Sequence, residues 1–189
     1  MAGWMRIVLA AGAIGLIAVI VAMLIGSRRQ QRDLLADANR LIRAGTARAA
    51  APQADAEVLS ALPAPVSRYL RWALGAGQRI QDVRIRQIGT LRTEIRSDRW
   101  MPFEAEHLVV PPATGFMWNA RVQVAPLLHV RVCDTLIEGR GAGQVSLLSV
   151  FTVSADAGTP EMNSGSLHRY LAEAVWYPTA LLPSPSAVV

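Results

Sequence analysis

From Ile7 to Ile25 the chain reads IVLAAGAIGLIAVIVAMLI, nineteen residues without a charge, with Arg6 before them and Gly26, Ser27, Arg28 and Arg29 after. At ~1.5 Å per residue a helix of this length covers most of the roughly 30 Å hydrocarbon core of a bilayer, and it satisfies its backbone polar groups internally. The run predicts a membrane anchor over residues 1–27. A cleaved secretory signal would carry a shorter apolar stretch, ~7–15 residues, and a small-x-small cleavage site. Here Ser27-Arg28-Arg29-Gln30-Gln31-Arg32 follows instead, so the segment reads as an uncleaved signal-anchor with a single pass. Arg28, Arg29, Arg32, Arg40 and Arg43 beyond the span, against Arg6 before it, lean the body toward the cytoplasm by the positive-inside rule. That rule weakens for long domains, which cross despite their charge.

Charge along the remainder excludes one broad class of partner. The net +5 arises wholly within residues 1–50, where seven Arg face Asp33 and Asp37, whereas from Ala51 onward twelve Arg balance twelve acidic residues. A nucleic-acid binder needs a basic stripe on its folded body, so no nucleic-acid partner is expected. The lipid bilayer is the expected partner of the basic neck, at ~1 kcal/mol per arginine near anionic headgroups. Cys133 is the only cysteine, which rules out an intramolecular disulfide and reads as a small strand residue.

Residues 28–56 read as an amphipathic neck and a linker. Leu34, Leu35, Ala38, Leu41 and Ile42 fall at helical spacing, and the face they form either lies on the bilayer or packs on the body, packing being the plainer expectation. GTARAAAPQADA at 45–56 is small, polar and interrupted by Pro52, the composition of a linker. A single domain over 57–183 then opens with a helix in residues 62–74, where Pro65 suits the first turn, Val66, Tyr69, Leu70, Ala73 and Leu74 form a stripe, and Gly75 ends it.

From Val83 the hydrophobic period changes to two. Strands are predicted at Val83–Arg96, Phe103–Val109, Phe116–Val124, Leu127–Ile137 and Val145–Val153, with short connections that imply an antiparallel meander. Pairing of the first two would set Arg84, Arg86, Arg92 and Arg96 against Glu104 and Glu106. The later strands are apolar on both faces, so both faces need cover, and a helix over Ser164–Trp176 with Leu167, Tyr170, Leu171 and Ala174 on one stripe is one source of it. The fold class is therefore α+β: a transmembrane helix, then a curved, half-barrel-like antiparallel sheet with covering helices. Such a curved sheet makes an apolar hollow of the kind that holds small ligands.

The motif inventory implies no catalytic residues, no metal and no cofactor. Gly139-Arg140-Gly141-Ala142-Gly143 precedes a strand where a dinucleotide loop would precede a helix, so it reads as a turn. His129 and Cys133 share a strand face but stand roughly 13 Å apart, too far for one ion. There is no G-x-S-x-G elbow, and Arg169 with Glu173 reads as a surface pair one helical turn apart.

LPAPVSRYLRWAL at 62–74, the block at 100–143 and above all SLHRYLAEAVWYPTALLP at 166–183 resemble an uncharacterised family of bacterial proteins, a domain of unknown function often preceded by a membrane helix. The resemblance implies an inner-membrane location and lends no catalytic residue. By fold analogy alone the body is similar to the half-closed barrels of lipoprotein carriers, which would set it in the periplasm. Members continue with further strands past the last motif, so this chain, with its tail at 184–189, looks truncated, and an uncovered apolar edge or face is expected.

Three functions follow as expectations. The first is a non-enzymatic domain holding a hydrophobic ligand or lipid, with Trp118, Tyr170, Trp176 and Tyr177 as the amphipathic rings that would line or rim the hollow. The second is a module that recruits a protein partner through an exposed sheet edge. The third is an enzyme using Glu104, Glu106, His107 and Arg121.

Overall fold

The computed structural model describes residues 2–48, 55–75, 78–92, 96–126 and 128–182. The tail at 184–189, the middle of the linker, the 93–95 end of the first predicted strand and Leu127 lie outside the described residues.

Helix α1 runs unbroken over Ala2–Ala47, roughly 69 Å at ~1.5 Å per residue. Its apolar half stands free of the rest of the fold, as a candidate membrane span does. Its second half does not: Gly26, Gln30, Leu34, Asp37, Leu41 and Gly45 recur every three or four residues and so share one face. That face crosses the sheet from the Ser149–Val150 turn to Val110 and Ala113 at the opposite rim. Leu41, fully buried, packs in a cluster with Leu108, Val110, Ala113 and Ile137. Arg40 locks the far end on Glu138 at 2.6 Å. The plainer expectation for the neck, packing on the body, is what the fold adopts.

Six strands follow in simple sequence order, every neighbour antiparallel: β1 Val83–Leu91, β2 Met101–Val110, β3 Gly115–Ala125, β4 Leu128–Ile137, β5 Arg140–Leu147 and β6 Phe151–Ala157. The β4–β5 hairpin turns on Glu138 and Gly139, both at positive φ (54° and 78°), the conformation that matches strand twist in a two-residue turn and that glycine adopts without strain.

The region predicted as one strand, Val145–Val153, is instead a hairpin. Leu148 and Ser149 turn the chain with φ of 51° and 59°, a conformation that neither residue type advertises in a sequence. The β5–β6 pair is thus an additional hairpin.

α2 (Ala56–Ser60) and α3 (Ala64–Ala73) pack through Leu59, Leu70 and Leu74 against Leu182. The second face of the sheet is covered by α4 (Pro160–Ala172) and the 3-10 turns Ala174–Trp176 and Pro178–Leu181. α4 begins four residues earlier than predicted because Thr159 caps it, its hydroxyl accepting from the Met162 N–H at 3.2 Å, and it ends at Ala172. Only part of the predicted stripe is buried. Tyr170 and Ala174 enter the core with Val109, Phe116, Trp118, Val122 and Tyr177, whereas Leu167 and Leu171 stay exposed. Ser166 is the other buried α4 residue, and nearby the Gly141 N–H donates to Asn163 Oδ1 at 2.8 Å. The molecule is an α+β fold: a long apolar helix, then an open antiparallel sheet held between that helix's continuation and α4.

Candidate functional site

Strand alternation sends odd residues of β3 and β4 and even residues of β2 toward the neck helix. Near the far rim these are apolar, namely Leu108, Met117 and Ile137. Toward the end nearest the apolar run they become Glu104, Glu106, Asn119, Arg121, His129 and Arg131, and here helix and sheet part. The space between them is a chamber of about 690 Å³, walled by Leu34, Leu35 and Ala38 of the helix and floored by Met117, Asn119 and Arg131. Arg131 also lines a second hollow of about 370 Å³, which it shares with Arg121, His129 and the end of the apolar run at Ile20, Met23 and Leu24.

The pairing register concentrates positive charge at this end. Arg121 stands directly opposite Arg131 across β3 and β4, where like charges destabilise a ladder. Arg121 Nη2 lies 3.4 Å from His129 Nδ1. Burial and then the two arginines lower the basicity of His129, while burial and then Arg121 lower that of Arg131. Among carboxylates, Glu106 acts on Arg131, and Glu104 sits 3.5 Å from Arg86, on the strand pair where the sequence placed such contacts. Arg84 turns instead to Asp82 at 3.7 Å, and Arg92 lies over the Trp100 ring at 5.2 Å. Cys133, on the same face, has its thiol pushed up to about 12 by burial first and Asp134 next, so it stays protonated at neutral pH and is a poor nucleophile.

The opposite face holds an ionic network. Arg169, expected on the surface, is half-buried: its guanidinium donates to Glu173 at 3.0 Å and to Asp134 at 2.7 Å, and lies over the rings of Phe116 and Trp118 at 5.2 and 4.7 Å. His107 is 1 % exposed, packs edge-on to Phe116, and brings Nδ1 within 3.4 Å of Glu173 Oε2. Burial pulls its imidazole down to about 4, against the attraction of Glu173. Burial likewise raises the Asp134 carboxyl, with Arg169 opposing.

The four aromatic residues singled out from sequence divide three to one. Trp118, Tyr170 and Tyr177 meet in the α4-side core, where the Tyr177 hydroxyl donates to the Tyr170 carbonyl at 2.6 Å and Trp118 Nε1 donates to Gln87 at 2.7 Å. Trp176 stands outside at 55 % exposure. Of the four polar residues, Glu104, Glu106 and Arg121 share the neck face, and His107 is on the other. Sequence reasoning missed Arg131 and His129 as partners of Arg121. The alternating pattern of β4 was the signal for their shared face, but their meeting with Arg121 depends on register.

No curated protein and no solved structure matches the chain. A family match spans residues 60–187, from the last residue of α2 through α3, every strand and α4. The match covers well over half of the chain and the whole sheet, and on that ground the protein belongs to the DUF6920 family, a family of unknown function.

Proposed function

We propose that this is a single-pass membrane protein whose extra-membrane domain binds a lipid or similar amphiphile between the neck helix and the sheet. The observation that carries the reading is the chamber of about 690 Å³, because the helix that walls it is the continuation of the candidate membrane span. Its volume lies inside the ~300–1,000 Å³ of typical small-molecule sites. Leu34, Leu35 and Ala38 on one side, with Arg131 and Asn119 on the other, suit a ligand with an apolar tail and a polar end. In this reading Trp118, Tyr170 and Tyr177 brace the sheet from behind. The membrane is a bacterial inner membrane, and the arginines after the span favour a cytoplasmic body.

The test is uptake of a fluorescent fatty acid by the detergent-purified, delipidated full chain. Leu34→Glu and Met117→Glu each place a charge in the chamber and are expected to weaken uptake by about tenfold or more. A parent protein that takes up no ligand overturns the proposal.

One observation favours a second reading. Each residue of β6 is exposed, Phe151 and Val153 at 64 % and 66 %, and its outer edge carries no further strand among the described residues. Such an edge accepts a strand from a partner chain. A partner of defined stoichiometry lost on Val153→Pro supports this reading, and its retention sinks it.

A further inference from the structure

The register of β3 and β4 holds Arg121 and Arg131 side by side, with Glu104 opposite Arg121 on β2 and Glu106 acting on Arg131 as a partial offset. Arg131 Nε is buried and donates no hydrogen bond, so part of a desolvated cation is left without an acceptor. The two arginines and His129 face a hollow whose other wall is Ile20, Met23, Leu24 and Ser27. Ile20, Met23 and Leu24 belong to the last turns of the apolar run, and Ser27 lies just past its end. With the apolar run spanning a bilayer as proposed above, the charges lie at the end of the span, close to the headgroup level and beside the apolar surface of its last turns.

We propose that Arg121, Arg131 and His129 hold the phosphate of an anionic membrane lipid whose chains lie along Ile20, Met23 and Leu24. Charge complementarity selects the ligand. The planar forks of two guanidiniums donate to phosphate oxygens in a bidentate manner, and an anion between them converts their repulsion into attraction. A zwitterionic headgroup brings its own ammonium into the cluster and loses that advantage. Glu104 and Glu106 do not neutralise the cluster: Glu104 is also held by Arg86, leaving Arg86, Arg121 and Arg131 against these two carboxylates. The inference deepens the function proposed above by naming the headgroup class. It concerns the membrane end of the face, whereas the fatty-acid test reads the larger chamber.

The test uses the full chain in nanodiscs of mixed phosphatidylglycerol and phosphatidylcholine, with retained lipid counted by native mass spectrometry. The parent is expected to retain phosphatidylglycerol selectively, and Arg121→Gln and Arg131→Gln to lose it by about fivefold each, the effect of ~1 kcal/mol per arginine at a membrane surface. Both variants relieve the cross-strand repulsion, so their thermal midpoints should not fall below that of the parent, which separates a lost site from a lost fold. Equal retention of the two lipids, or equal retention by parent and variants, overturns the headgroup assignment. Displacement of phosphatidylglycerol by inorganic phosphate at matched concentration assigns the cluster to a free anion and also overturns it. Continued fatty-acid uptake by Arg121→Gln, which does not line the larger chamber, alongside lost phosphatidylglycerol preference supports both proposals together. Selective phosphatidylglycerol retention without fatty-acid uptake supports this site and removes the chamber reading.

Discussion

Leu41→Ala tests whether the second half of α1 is structurally part of the domain. Leu41 has no accessible surface and packs among Leu108, Val110, Ala113 and Ile137, with its Cδ1 only 2.7 Å from where a Gly115 Cβ would stand. Truncation removes three carbons, ~0.8 kcal/mol each, or about 2.4 kcal/mol of transfer energy. The sheet beneath is tied on both sides and collapses little, so a residual cavity of ~40 Å³ at ~24 cal/mol per Å³ adds about 1 kcal/mol. The expected loss is ~3.5 kcal/mol, which lowers the urea midpoint of the detergent-solubilised chain by ~1–3.5 M at urea sensitivities of ~1–3 kcal/mol per M. Leu35→Ala on the same helix is the control. Leu35 is 64 % exposed, so its truncation should cost no more than ~0.5 kcal/mol, and the two variants share the same change in helix propensity. Hydrogen exchange adds a local readout: neck amides between residues 28 and 46 should lose protection in Leu41→Ala alone. Equal urea midpoints for the two variants would refute the packing argument.

Other expectations follow from the two faces of the sheet. His107 is held neutral down to about 4, whereas in the unfolded chain it takes up a proton near its usual 6.5. Stability is therefore full above pH ~6.5 and is lost as the pH falls toward ~4, by about 2 kcal/mol at pH 5; His107→Gln should flatten this slope in melts at pH 7.5 and 5, and an unchanged slope would locate the titration elsewhere. Arg169→Met keeps bulk over Phe116 and Trp118 but leaves Asp134 and Glu173 without their cation, at about 2–3 kcal/mol near pH 7 after allowing for partial exposure. Because burial raises the Asp134 pKa, its charged form costs stability as pH rises, so the Arg169→Met deficit should shrink on acidification; a pH-independent deficit would contradict the electrostatic account. Gly26→Val would bring a Cβ to 2.8 Å from the Ser149 carbonyl and 3.1 Å from Val150 Cα, both backbone. The displaced turn should become a site of limited proteolysis between residues 147 and 151, and unchanged resistance would place the helix farther from the sheet than argued here.

Much of this architecture is legible in the amino-acid sequence. A nineteen-residue apolar run constrains its own conformation, because a bilayer accepts few backbone forms. The period-two pattern from Val83 onward and the short connections between strands identify an antiparallel meander, since each strand needs only its sequence neighbour as a partner. The two-faced apolarity of the later strands announced that both sides of the sheet would be covered. The second hairpin was not legible, because Leu148 and Ser149 turn the chain without glycine, proline or asparagine. The helical stripe on the neck showed a face to bury without naming what it would be buried against. Long-range contacts made that choice: Leu41 meets Ile137, Arg40 meets Glu138, and His107 meets Glu173. The opposition of Arg121 and Arg131 rests on register, a property of two strands and the irregularity between Gln123 and Ala125, not of either strand alone. The long apolar helix, the strand-rich α+β class and the neutral body were all readable from local periodicity and composition. That the continuation of this helix also covers the sheet, and that like charges gather beside the end of the apolar run, emerged only from tertiary packing, because both depend on residues far apart in the chain being brought within a few ångströms.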